Sequence, residues 1–204
     1  MSHADSLSNS IWLDKWLNEL GVDYPANSIN TSSLKSSVFS KPSKDLNSIK
    51  IPELKKEISP IVFGCDNQIN EVHAFAMFDY YYSKGGKVFD TAYIYNHGLS
   101  DKYLGDWINS RGLKDVVVLG KGAHTPDCFP DKIRPQIEES LSRGNIDKLD
   151  IYCLHRDNLD VPVTEFIDAL NDCKKDGLID VLGASNWELE RFKSANDYAH
   201  EQQK

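Results

Sequence analysis

From residue 61 onward, short apolar runs rich in β-formers alternate with longer stretches whose apolar residues recur at helical spacing. The runs are IVFGC (61–65), KVFDTA (87–92), VVVLGK (116–121), LDIYCLH (149–155) and IDVLGASN (179–186). Between them lie NEVHAFAMFDYYYSKGG, SDKYLGDWINSRG, KIRPQIEESLSRGN and VTEFIDALNDCKKDG, and ELERFKSANDYAHEQQK follows the last run. Gly closes the first, second and fourth of these helical stretches, the third ends RGN, and Ser100 offers a cap to the second. In the last, Leu189, Phe192 and Ala195 share a face. Strands that are apolar throughout are buried on both faces. Alternating with helices, they predict a parallel sheet of βαβ units, each about 30 residues long.

Five such units fit an open flavodoxin-type sheet or the first five units of a (β/α)₈ TIM barrel. A flavodoxin-type site wants a phosphate-binding loop after the first strand. Here that loop is GCDNQIN, a poor cradle. Polar residues stand instead at the C-terminal ends of runs two to five, where a barrel keeps its active site. The predicted fold is therefore α/β, a partial TIM barrel over residues 58–204. An N-terminal extension, 1–57, precedes it.

That extension has a different texture. Residues 10–21, SIWLDKWLNELG, predict one helix, with Ser10 as cap, Gly21 as stop, and Trp12, Leu13, Trp16, Leu17 and Leu20 on one face. A Ser- and Asn-rich stretch after it reads as a linker or loosely packed strap. The two tryptophans are expected to pack onto the main domain.

Composition narrows the function classes. The 204 residues carry a net charge of −8, which argues against nucleic acid as the main partner. No apolar run approaches membrane-spanning length, and MSHADSLSNS lacks the features of a secretory signal. Cys65, Cys128, Cys153 and Cys173 are widely spaced, without Cys-x-x-Cys, as expected of reduced thiols in a cytoplasmic protein. Disulfides remain the alternative in an oxidising compartment. HTPDC (124–128) lacks a clear fourth metal ligand, so no metal site is expected. Tyr80, Tyr81 and Tyr82 fit core and rim packing.

The strand ends carry the candidate chemistry. Asp90 ends the second run, Lys121 the third, His155 the fourth, and Ser185 and Asn186 the fifth, while Tyr95 lies in the loop after the second. In a parallel barrel these ends share one mouth. A tyrosine with a pKa of about 10 is a sluggish acid at neutral pH. A neighbouring ammonium is expected to lower it, and a buried lysine needs an anion, which Asp90 can supply. His155 can hydrogen-bond a carbonyl oxygen. An acid set against a carbonyl suits reduction by hydride from a nicotinamide. Ser185 and Asn186 have the side chains to hold the nicotinamide carboxamide.

FDTAYIYNHGLSDKYLG closely resembles the aldo-keto reductase signature, Asp-x-Ala-x-x-Tyr followed by Gly-x-Ser-[Glu/Asp]-x-x-Leu-Gly. VVVLGK, LDIYCLHRDN and GLIDVLGASNW follow in the family's order, and the resemblance runs from about Ser59 to Ala199. It implies Tyr95 as proton donor, tuned by Lys121 and Asp90, with His155 orienting a small carbonyl substrate. It further implies that Asp90, Ser185 and Asn186 contact the nicotinamide end of NADP(H), or NAD(H). HRDN is more like the bacterial sugar- and aldehyde-reducing branch, and the potassium-channel β-subunits, than the HWP branch. A regulatory or binding protein on this scaffold is thus an alternative to an enzyme, and an inactive fragment is a third.

The family has three further βα units, which carry the nicotinamide-stacking aromatic, the pyrophosphate loop and the adenosine-phosphate contacts. None of these is recognisable here, so a C-terminally truncated chain is expected, with the determinants of NADPH against NADH beyond Lys204. The family usually opens with a hairpin that plugs the barrel bottom. IKIPELKKEISP matches the last part of it.

Overall fold

The structure, a computed structural model, describes residues 48–202. The helix expected over 10–21 and the serine-rich stretch after it lie outside the described residues. Five strands alternate with five helices: β1 Val62–Gly64, α1 Glu71–Ser83, β2 Val88–Asp90, α2 Leu99–Arg111, β3 Val117–Gly122, α3 Pro130–Gly144, β4 Leu149–Leu154, α4 Val163–Lys175, β5 Ile179–Ala184 and α5 Leu189–Glu201. The strands lie in chain order, each parallel to the next. A flavodoxin-type sheet reverses its winding at a switch point. This sheet does not, so its winding is that of a partial barrel.

The two-residue period of a strand sorts side chains into two cores. Phe89, Val118, Tyr152 and Leu154 face the helices and pack with Phe78, Trp107, Ile133 and Phe166. Val88, Val117 and Ile151 face the other way and bury Leu54 among them, with Leu119, Cys153 and Val181 against the cluster. Leu54 comes from a small hairpin in which Ile49 and Ile58 exchange backbone hydrogen bonds of 2.8 and 2.9 Å. The stretch IKIPELKKEISP thus tucks beneath the strands, and the boundary expected at residue 57 falls inside it. Lys56 fastens the hairpin to the lower strand ends by donating to Asp150 (2.9 Å) and to the Val116 carbonyl (2.6 Å).

Asn70 caps α1 by accepting from the His73 amide at 2.9 Å. Ser100 does not cap α2 as expected. Gly98, at φ +87°, precedes the helix, and Ser100 is buried inside its first turn. Gly112 and Asn145 stop α2 and α3 in the left-handed conformation. On α5 only Ala195 of the expected apolar face is buried, while Leu189 and Phe192 are exposed. Helices α2 and α3 meet backbone to backbone, since a Cβ on Gly105 would collide with the Gly144 carbonyl. Helices α1 and α2 are joined by Asp79, which accepts from Trp107 Nε1 (2.7 Å) and from Arg111 Nη2 (2.9 Å) and Nε (3.2 Å). The four cysteines are unpaired. No helix among the described residues is long and apolar enough to cross a membrane.

Candidate active site

Each candidate residue stands two positions beyond an inward-facing apolar or small residue on its strand: Asp90 beyond Val88, Lys121 beyond Leu119, His155 beyond Cys153, Ser185 beyond Gly183. In the parallel register Asp90 lies opposite Leu119 and Lys121 opposite Cys153, so Lys121 reaches two positions past Asp90, and His155 two past Lys121, at the upper end of the sheet. Lys121 Nζ forms an ion pair with Asp90 Oδ1, the lysine side chain 6% and the aspartate 33% exposed. The same Nζ lies 4.9 Å from the centre of the Tyr95 ring, within cation–π range. The Tyr95 ring meets the His155 ring edge to face at 5.6 Å. Asp90, Tyr95, Lys121 and His155 therefore form one contiguous cluster.

Burial is the main influence on the protonation of Lys121, His155 and Tyr95. It pushes Lys121 down to about 8, with Cys153, Cys65 and Asp66 opposing. His155 is pushed down to about 4 by burial and by its electrostatic interactions with Lys121, His124 and Arg156, so at neutral pH its ring is uncharged. The Tyr95 phenol is pushed up, first by burial and then by Asp66, with Arg156 opposing. The lysine was expected to pull the phenol down. It lies over the ring face, and desolvation outweighs it. A phenol that keeps its proton at neutral pH is the form an acid needs.

Ser185 and Asn186 follow β5. The Ser185 amide donates to the Leu154 carbonyl at 2.8 Å, continuing the sheet. Asn186 takes a left-handed backbone, φ +62°. Its Nδ2 donates to the His155 carbonyl and to Ser185 Oγ, both at 3.0 Å, which turns the amide towards the end of β4. Both residues border the mouth beside His155.

Sequence reasoning missed several residues here. His124, just past β3, packs its ring against His155 at 4.9 Å and contacts the Thr125 carbonyl through Nδ1 at 2.9 Å. The loop carrying Tyr95 is also clamped from outside. Thr91 Oγ1 donates to the buried Asp101 at 2.7 Å. Arg143, on α3, donates to the Tyr93 carbonyl (2.8 Å) and to Glu139 (2.6 Å), and its guanidinium covers the Tyr93 ring at 4.3 Å. Glu139 also accepts from the Tyr93 hydroxyl at 2.8 Å. Within the loop, Asn96 and His97 are left-handed at φ +48° and +54°, conformations costing about 1–2 kcal/mol each. The signature's Asp101 was a signal for part of this clamp. Arg143 had none, because it reads as an ordinary charge near a helix end.

The family model described as the Aldo/keto reductase family matches residues 61–204. Among curated proteins, the chain is 28% identical over 175 residues to norsolorinic acid reductase B of Dothistroma septosporum, covering 74% of this chain and 44% of that protein. It is 27% identical to the probable aryl-alcohol dehydrogenase AAD4 of Saccharomyces cerevisiae, covering 64% and 44%. The chain thus spans less than half the length of these relatives. Among solved structures, the aldo-keto reductase AKR11C1 from Bacillus halodurans superposes with a TM-score of 0.66 at 24% identity, over 75% of this chain and 54% of that one. The glycerol dehydrogenase AKR11B4 from Gluconobacter oxydans gives 0.62 at 22%, over 74% and 52%. Strand order, the residues gathered at the strand ends and the family match over that same stretch converge, and the chain belongs to the aldo-keto reductase family.

Proposed function

We propose that this protein is an NADP(H)-dependent oxidoreductase that reduces the carbonyl of a small aldehyde, ketone or sugar, with Tyr95 as proton donor. The observation that carries this is Lys121, which holds Asp90 by an ion pair and faces the Tyr95 ring at 4.9 Å, with His155 on the ring's edge. A nicotinamide fits beside them. Asp90 stays one-third exposed despite its ion pair, and the Ser185 hydroxyl and Asn186 amide match the polar edges of a carboxamide. NADP(H) is the cofactor in this proposal, with NAD(H) the variant. When bound, the reduced nicotinamide supplies hydride.

The chain's own residues do the rest. Neutral His155 donates a hydrogen bond to the carbonyl oxygen and fixes its place. As negative charge grows on that oxygen, the Tyr95 phenol gives up its proton to it. The Lys121 ammonium, mostly charged at pH 7, stabilises the phenolate left behind. Asp90 holds that ammonium in place against its desolvation. The unpaired cysteines support a reducing, cytoplasmic setting.

In the full-length protein, Tyr95→Phe should cut aldehyde reduction, followed as NADPH oxidation, to a small residual rate and leave NADPH binding by fluorescence titration intact. A variant retaining more than about a tenth of wild-type kcat, a change of only about 1.4 kcal/mol, would refute the assignment.

A further inference from the structure

We infer that Arg143 is a positioning residue for Tyr95, acting from α3 without touching the site. This rests on the assignment of Tyr95 above. The loop from Thr91 to Gly98 is bonded to the strands at its start, through Thr91 N to the Leu119 carbonyl and Tyr93 N to the Lys121 carbonyl, both 2.8 Å. Tyr95 lies beyond those ties, and past it Asn96 Nδ2 makes one long bond of 3.3 Å to the Gln68 carbonyl. After it the backbone is left-handed at Asn96, His97 and Gly98 in succession, a conformation that persists only where the surroundings impose it.

Arg143 supplies that constraint on both sides of Tyr95. Two residues before it, the guanidinium donates to the Tyr93 carbonyl and lies on the Tyr93 ring. Three residues after it, the guanidinium fills the side of Gly98 where a Cβ would sit, 2.5 Å from Cζ. Gly98 is thus required twice, by its φ of +87° and by the space Arg143 occupies. The guanidinium is itself braced. Glu139 accepts from Nη2, and the buried Asp101 carboxylate lies 3.8 Å from Nη1. Only a planar fork can meet the carbonyl and the carboxylate together. A lysine would keep the charge and lose one of the two contacts. Without the fork the loop relaxes towards right-handed backbone, and the phenol leaves its register with Lys121 and His155. Misplacement of about 1 Å can cost a hundredfold in rate.

The test is a double-mutant cycle on the full-length protein, with hydrogen exchange as a second readout. Arg143→Met should lower kcat by about 10- to 100-fold, with NADPH affinity unchanged. In a Tyr95→Phe background it should lower the residual rate less than threefold, because its effect runs through the phenol. Amide exchange over residues 92–98 should quicken at least tenfold, with β4 and α4 unchanged. Arg143→Lys should change both readouts in the same direction by less, and it serves if the methionine variant fails to fold. Equal losses in both backgrounds, or unchanged exchange over 92–98, would overturn the inference. If the wild type reduces no aldehyde while the exchange effect is present, the functional assignment fails and the loop constraint stands.

Discussion

Asp79, Arg111 and Trp107 form a buried polar joint between α1 and α2, and its removal has a calculable signature. The Asp79 and Arg111 side chains are each 1% exposed. Asp79→Leu leaves a buried guanidinium with no counter-charge, a loss of about 3–5 kcal/mol. The Trp107 indole N–H loses its 2.7 Å acceptor as well, for about 1–3 kcal/mol more. Asp79→Asn keeps an acceptor for the indole, so its loss should fall short of the leucine variant's by that second amount. Replacing both charges, Asp79→Leu with Arg111→Met, removes the orphan. A buried pair is near break-even against apolar residues, so the double variant should be more stable than either single one. Urea unfolding measures this directly. At about 1–3 kcal/mol per M, Asp79→Leu should move the midpoint by one to several M. Full additivity of the two losses, or a single-variant effect below about 1 kcal/mol, would show that water or a neighbour already solvates the guanidinium.

Two further outcomes concern protonation. Lys121 should titrate near pH 8, and lower still in Asp90→Asn, as read by NMR of isotopically methylated amines. Titration at the ordinary value of about 10.4 would mean the ammonium is solvated. His155, held down to about 4, makes the folded state bind fewer protons than the unfolded chain between about 4 and 6.5. Its contribution to stability is therefore complete above about 6.5 and is lost as pH falls towards 4. The urea midpoint of His155→Gln should depend less steeply on pH across that window than the wild type's, and equal slopes would refute the assignment.

Much of this was legible in the sequence. Strands such as VVVLGK are apolar on both faces, and that follows directly from a sheet enclosed by helices and by its own interior. Asp90, Lys121 and His155 were legible because a charged or titratable residue closing such a strand conflicts with its surroundings. Ser100 misled, because cap chemistry is local, while the start of α2 is set by Gly98 and by a side chain more than forty residues away. The protonation of Tyr95 was illegible for a related reason. A lysine's effect on a phenol depends on whether it meets the oxygen or the ring face, and no spacing encodes that. Arg143 was hidden because its partners lie on a loop whose left-handed backbone leaves no compositional trace beyond one glycine.

The contact of Gly105 with Gly144 bears on mechanics. Side chains between helices act as compliant spacers, since rotamers can yield. Backbone against backbone leaves nothing to compress. Helices α2 and α3, with the Tyr95 loop strapped across them, thus form the stiff jaw of the site. The opposing wall, built from the segments after β4 and β5, is joined through side-chain amides and an indole: Asn186 to the His155 carbonyl, and Trp187 to the Arg156 carbonyl at 3.1 Å. Side-chain links of this kind yield more readily than packed backbone. On the proposed function, ligand entry and release would be accommodated on that wall, while the Tyr95 loop keeps a fixed address.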